Sequence, residues 1–109
     1  MSISENDWKY LSRLQPIALD RLCQRILQEI QELINATEEG EHHRTYLAIY
    51  RQIEQQDQVI ADCFNDLGRS LALFRLMHWR RQGLITEEEF ASFSAKTRIV
   101  VDEWLAGNG

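Results

Sequence analysis

The feature that most constrains the fold is a line of residues spaced by alternating steps of four and three. Tyr46, Tyr50, Ile53, Asp57, Ile60, Phe64, Leu67, Leu71 and Phe74 occupy nine such positions, and only Asp57 is polar. On an α-helix this spacing draws one narrow apolar stripe, the pattern of a coiled-coil-like seam against another helix. Gly68 sits inside the line and predicts a break or bend between Asp66 and Ser70. The line therefore divides into one helix from about His43 to Asp66 and another from about Arg69 to Gln82. The run Glu54-Gln55-Gln56-Asp57-Gln58 is wholly polar, so the seam should be dry at its ends and hydrated in its middle. Asp57 allows two readings. A small helix rotation can turn the carboxylate to solvent, or the residue can act as a polar register device and a weak neck that lets a dimer open.

The preceding stretch, about Glu5 to Ala36, carries Leu19, Leu22, Cys23, Ile26, Leu27, Ile30, Leu33 and Ile34. Steps of three and four again mark a helix. This stripe is wide, with neighbouring pairs such as Leu22/Cys23 and Ile26/Leu27, as suits a helix with two partners. Pro16 lacks an amide donor and pushes Gln15 away from helical geometry, which predicts a short leading segment to about Leu14 and a kink or restart. Gly40 breaks the chain within the polar connection 35–41.

The third helix, with Leu71, Leu73, Phe74, Leu76 and Met77 as its core face, should end at Gly83 as a left-handed C-cap. Next comes the sharpest local signal, Leu84-Ile85-Thr86-Glu87-Glu88-Glu89-Phe90. Thr86 and Glu89 have capping-box spacing, and Ile85 and Phe90 stand at the two ends of a hydrophobic staple. Three glutamates in the first turn match the helix dipole. One helix to about Leu105 is expected, with Phe90, Phe93, Thr97, Val100, Val101 and Trp104 facing inward.

Few breakers punctuate the chain: one proline and five glycines in 109 residues. An all-β chain needs turn signals every ~8–12 residues, so that class is excluded. Apolar residues make up 44%, too many for a disordered chain. The net charge of −5 opposes general binding to nucleic acid or acidic membranes, which needs clustered cations. No run approaches the ~18 apolar residues of a membrane span. The acidic, polar start from Met1 to Trp8 is unlike a secretory signal, and a cytoplasmic location is expected. Cys23 and Cys63, the only cysteines, both fall on apolar helical faces and read as packing thiols.

These elements predict an all-α fold: an elongated helical hairpin stalk plus a small helical head in a single domain spanning 1–109. The stalk covers about 1–67 and the head about 68–105. One hairpin cannot cover both a wide apolar face and a seam. Dimerisation into a four-helix bundle solves this, and Tyr50, Ile53, Asp57, Ile60 and Phe64 are the expected dimer interface.

Signals for chemistry are sparse. Glu39 and His42 form a single Glu-x-x-His across Gly40, whereas a di-iron bundle needs two such motifs on helices. His42-His43 in an acidic connection implies at most chance metal affinity. No serine or cysteine is grouped with His and Asp in a pocket-forming context. No enzyme, catalytic residue, metal or cofactor is expected. The helix-Gly83-helix pattern resembles a helix-turn-helix, with Arg75, Arg80 and Arg81 as positive charge. The would-be recognition helix, however, opens on Glu87-Glu88-Glu89, which would repel phosphates. By spacing, Tyr46, Tyr50, Trp79 and Trp104 read chiefly as core or seam. Trp79 beside Arg80-Arg81 also has the composition of a protein-partner hot spot. Phe74, Arg75, Trp79 and Arg80 are accordingly the candidate partner-binding residues on the head.

Ser70-Leu71-Ala72-Leu73-Phe74, then Gln82-Gly83-Leu84-Ile85 and Glu88-Glu89-Phe90, resemble the head region of the fluorescence recovery protein family of cyanobacteria and its bacterial relatives. Trp8, Gln24-Arg25 in a long first helix, and Asn65-Asp66 agree in outline, and the chain length matches throughout. The resemblance implies an all-helical homodimer without enzymatic activity. Its partner would be the photoactivated orange carotenoid protein, bound chiefly through that protein's C-terminal domain. Binding would speed return to the resting orange form and restore light harvesting by the phycobilisome antenna, a role in photoprotection. Phe74 carries over to a position that contacts the carotenoid protein in the family. The second helix departs: where the cyanobacterial proteins have tryptophan, a His-Asp pair and then arginine, this chain has Leu47-Ala48-Ile49-Tyr50-Arg51-Gln52 and Gln58. The alternative is a helical adaptor or scaffold with an unrelated protein partner, and DNA binding stands third.

Overall fold

The computed structural model describes residues 3–65 and 68–108. Among them five α-helices and one 3-10 turn account for the regular structure, and no strand occurs. Helix α1 spans Glu5–Asn35 and α2 spans His42–Phe64. A 3-10 turn at Arg69–Leu71 leads into α3, Ala72–Arg81, followed by α4, Glu87–Ala91, and α5, Ala95–Asn108. The chain is elongated, 55 × 26 × 24 Å, with a radius of gyration of 16.9 Å. A compact chain of this length would have about 13 Å.

Ser4 starts α1 by accepting the Asp7 amide at 3.2 Å. The helix then runs unbroken through Pro16, so the short leading segment to Leu14 and the restart expected there are absent. Pro16 and Ser12, whose carbonyl loses its helical donor, both lie on the exposed side. The freed acceptor therefore costs little there, while buried Leu14 and Ala18 hold the helix on its other face. At the far end, Gly40 takes φ 85° in the connection. The Thr37 hydroxyl donates to the Leu33 carbonyl at 2.9 Å and meets the Thr45 hydroxyl at 2.7 Å, which starts α2 back along α1. Helix α2 ends at Phe64, with Asn65 in a bend and Gly68 entering the 3-10 turn. The expected break is therefore present, while Asp66 and Leu67 lie outside the described residues.

The head packs around the first half of α1. Leu11, Leu14, Ala18 and Leu22 share one core with Leu73, Leu76, Trp79, Leu84, Phe93 and Val101. Gly83 adopts φ 70° after α3, as its C-cap role requires. The capping box is complete. The Thr86 hydroxyl accepts the Glu89 amide at 3.0 Å, and Glu89 accepts the Thr86 amide at 2.8 Å. Ile85 and Phe90 are both buried beneath it. Arg21 of α1 clamps this turn, donating to both Glu89 oxygens at 2.6 and 3.0 Å and to the Leu84 carbonyl at 2.9 Å. The guanidinium contact keeps the Glu89 carboxyl below its usual pKa, although partial burial opposes it.

The last helix is not continuous. Residues 92–94 separate α4 from α5. The amides of Ser92 and Phe93 reach back only three residues, to Glu89 and Phe90. The Ser94 amide turns to Asp7 instead. The break lets Phe93 drop into the core, edge-on to Tyr10 at 4.9 Å. Ser94 stands at the start of α5 with its hydroxyl facing the Thr97 amide at 3.4 Å, and Asp7, which only the tertiary fold brings near, holds Ser94 in that place.

Candidate interaction surface

Sequence periodicity divides differently from function along α1 and α2. On α1, Leu22 and Ile26 are buried, while Leu27, one residue further round, is 64% exposed. Half of the wide stripe is thus covered within the protomer and half is open. On α2, Tyr46, Tyr50 and Ile53 lie exposed, Asp57 stands beside them, and Ile60 is partly buried at the head end. Tyr46 is the most open at 66%. Cys23, Ile26, Leu27 and Ile30 from α1 meet Ile53, Gln56, Asp57 and Ile60 from α2 around an open, mainly apolar groove of about 310 Å³. Toward the hairpin tip, Ile34, Tyr46 and Ile49 line a second depression of about 360 Å³. Soluble monomers rarely expose contiguous apolar surface of this kind without a use for it.

Four of the five expected dimer residues, Tyr50, Ile53, Asp57 and Ile60, sit on this face. Phe64 does not. It is buried in the head and stacks on Trp79 at 5.5 Å. The 4-3 line leaves the outer face there because α2 ends at Phe64 and the head closes over it. Asp57 is exposed, and among the described residues no side chain forms a hydrogen bond or ion pair with its carboxylate.

The expected partner patch on the head is not one surface. Trp79 is fully buried, and its indole N–H donates to the Cys63 carbonyl at 2.8 Å. That carbonyl lies in the last turn of α2, where helical partners run out, so Trp79 is a joint between stalk and head. Arg75 is buried as well. Arg80 lies over the Phe90 ring at 4.1 Å and binds Glu87 through two contacts of 2.8 and 3.0 Å. Only Phe74 is outward, 48% exposed and stacked on Trp104 at 4.8 Å. Leu71 is likewise at the surface, so the core face of α3 is narrower than expected and centres on Leu73, Leu76 and Met77. Burial bears out the core reading that the spacing of Trp79 gives and removes the partner reading that Arg80-Arg81 suggest; Arg80 is held by Glu87 and the Phe90 ring, and Arg81 is exposed away from the buried indole.

No family model matches the chain, and no curated protein or solved structure is significantly similar to it.

A second polar cluster joins α1 to the start of α5. Asp7, 4% exposed, accepts the Ser94 amide at 3.0 Å, the Ser94 hydroxyl at 2.6 Å and the Thr97 hydroxyl at 2.7 Å. Burial alone would raise its pKa. The hydroxyl bonds from Ser94 and Thr97 and the Ser94 amide outweigh that and hold it below the ordinary value. Such a carboxylate is a weak base, poorly suited to activating Ser94. A cavity of about 430 Å³ lies beside it, lined by Ile3, Ser4, Leu73, Lys96 and Val100 as well as Ser94 and Thr97. Burial raises the Cys63 thiol pKa, with Asp62 adding to the effect, so this sulfur is a packing group. Burial lowers the His78 pKa, with Arg81 assisting. Among the described residues no three or more His, Cys, Asp or Glu side chains are grouped to hold a metal ion, and no helix is long and apolar enough to cross a membrane. The site with the strongest physical claim to function is the open face of α1 and α2. Its α1 half is legible in the sequence only as excess stripe width, in Leu27 and Ile34 beside the more covered Ile26 and Ile30.

Proposed function

We propose that this chain is a non-enzymatic helical interaction protein of the cytoplasm that works as a homodimer, forming a four-helix bundle through the open face of α1 and α2. The observation that supports it best is the burial of α2. In a helix of 23 residues only Cys63 and Phe64 are buried, both at the head end. Most of a helix's stability in a protein comes from packing its amphipathic face, and the side of α2 that carries Tyr46, Tyr50 and Ile53 is left exposed within the protomer. The outward parts of Leu27, Ile34, Tyr46, Tyr50 and Ile53 supply roughly 500 Å² of apolar surface, taking up to ~150–250 Å² for an aromatic side chain. That is most of the ~800 Å² each partner buries in a standard interface.

The resemblance to the fluorescence recovery proteins gives the partner class: the photoactivated orange carotenoid protein, with exposed Phe74 as the contact. The mechanism would be a population shift, in which the dimer binds one state of a two-state partner better and speeds its return. Two measurements test this reading. Sedimentation from nanomolar to micromolar protein should show a dimer, and Ile53→Asp should convert it to monomer; a wild-type monomer throughout refutes the dimer. Dark recovery of light-activated orange carotenoid protein should accelerate with added protein. No acceleration at stoichiometric excess removes that partner and leaves a helical adaptor with an unrelated one.

A further inference from the structure

The apolar face has a centre, and the centre carries information. The Thr37–Thr45 hydroxyl contact and the bond from Gln52 to Glu29 fix the level of α1 against α2, and Ile30 and Ile53 line the groove from its two sides. Along α2 the open face runs from Tyr46 to Ile60, about 21 Å at 1.5 Å per residue. Ile53 stands midway between these ends. Along α1 the face runs from Cys23 to Ile34, centred within a turn of Ile30. Below Ile60 the head begins, with Cys63 and Phe64 closed into it. A partner covering the whole face must therefore avoid a second bulky head at that end.

From this geometry we infer that the occupant is a second copy related by a two-fold axis that crosses α2 at Ile53, with the two heads at opposite ends of the bundle. The inference rests on the dimer reading above and adds its register. A two-fold interface is isologous, so each residue meets the one equally far on the other side of the axis. Ile53 meets its own copy, and Tyr46 comes opposite Ile60. Tyr50 comes close to Asp57. A shift of one turn in either direction leaves Tyr46 or Ile60 uncovered in both copies. The chosen register also accounts for the one polar position in the seam. No side chain among the described residues pairs with Asp57 within the protomer, and a seam carboxylate without a partner would oppose association. The phenol of Tyr50, 56% exposed, is the donor that this axis delivers, twice per dimer. Asp57 then acts as a register device, stable in this alignment and left unpaired in the others.

Cysteine cross-linking reads the axis directly. Residues on a two-fold axis approach their own copies, whereas Tyr46 and Ile60 lie about 10 Å to either side and their copies about 20 Å apart. A disulfide bridges only Cα atoms closer than ~7 Å. On a Cys23→Ser background, Ile53→Cys should give a covalent dimer under mild oxidation, while Tyr46→Cys and Ile60→Cys should not. Sedimentation of the unoxidised variants establishes that each is dimeric and folded. Separately, Tyr50→Phe and Asp57→Asn should each weaken the dimer about 100-fold or more, as expected for two hydrogen bonds to charged groups per dimer. The double variant should be little worse than either single one. Cross-linking of the Tyr46→Cys or Ile60→Cys variant, or none of the Ile53→Cys variant, overturns the register and leaves the dimer standing. So does independent addition of the Tyr50→Phe and Asp57→Asn effects. A monomeric wild type overturns the dimer itself.

Discussion

Replacing Asp7 by alanine tests the account of the head most severely. The carboxylate accepts three hydrogen bonds, of which the one from Thr97 is fully buried and the two from Ser94 are partly buried. A bond to a charged group contributes ~1.5–3 kcal/mol when buried and nearer 1 when exposed. The three together amount to about 3–5 kcal/mol, allowing for partial re-satisfaction of the hydroxyls by water. A domain of this size has ~5–15 kcal/mol in all. Urea unfolding followed by circular dichroism, at fixed protein concentration, should therefore show a large fall in the midpoint at pH 7. The pH dependence follows from the lowered pKa. The native state holds the proton less tightly than the unfolded chain. The contribution is thus complete above the ordinary aspartate value of 3.8 and is lost as pH falls through the lower native value. The gap between wild type and Asp7→Asn should accordingly narrow in acid. A difference between wild type and Asp7→Ala below about 1 kcal/mol at pH 7 would refute the claim that this carboxylate ties α1 to α5. A gap between wild type and Asp7→Asn that stays constant from about pH 5 to pH 2 would show that its charge is not the cause.

Three other outcomes follow from the same structure. Trp79→Phe keeps an aromatic ring but strands the Cys63 carbonyl at the end of α2, so urea unfolding should show a loss of about 1–3 kcal/mol; an unchanged midpoint would dissolve the joint between stalk and head. Gly83→Ala meets no steric obstacle, its nearest neighbour being Arg25 Nη2 at 3.8 Å, and should still cost about 1 kcal/mol through the positive φ alone, read as a lower thermal midpoint. On the proposed dimer, in which a second copy would cover α2, amide exchange across residues 46–60 should slow as protein concentration rises through the dissociation constant; exchange rates independent of concentration would count against that cover.

Much of the fold is legible in the sequence because its signals are local. The Thr86–Glu89 box, the Gly83 cap and the Gly40 turn each specify backbone geometry over a few neighbouring residues, and each is present in the structure. The errors share a different physical origin. Pro16 is harmless because it lies on the exposed side of α1, a fact set by what packs opposite it. The division at residues 92–94 joins a local cap, the Ser94 hydroxyl on the Thr97 amide, to a distant one, Asp7, 87 residues from Ser94 in the chain. Trp79 has core spacing but a hot-spot neighbourhood in Arg80-Arg81, and the Cys63 carbonyl and the Phe64 ring decide between the two. Periodicity says which residues share a face; it does not say where another element will arrive to cover it. For the same reason the 4-3 line follows the open face from Tyr46 to Ile60 and wrongly carries it on to Phe64.

Phe64 and Ile60 are one step apart on the same helical line, yet one is spent within the protomer and the other is left at its edge. That boundary has an energetic consequence. The Trp79 joint and the Phe64 stack anchor α2 to a head whose own core includes Leu11 and Leu22 of α1, so the head can hold the base of the hairpin in place. Beyond Ile60, toward the hairpin tip, α2 has little buried surface to offset the entropy of ordering its residues, about 1–2 kcal/mol each for backbone alone. An anchored but uncovered hairpin presents its apolar side chains at nearly fixed spacing. Association then costs less ordering entropy than it would for a free segment. The same hairpin is sensitive to what covers it, since Tyr46, Tyr50 and Ile53 of its outer half are left exposed within the protomer. Stability of the stalk and occupancy of its face are therefore linked, and anything that competes for the face changes the order of α2 before it disturbs the head.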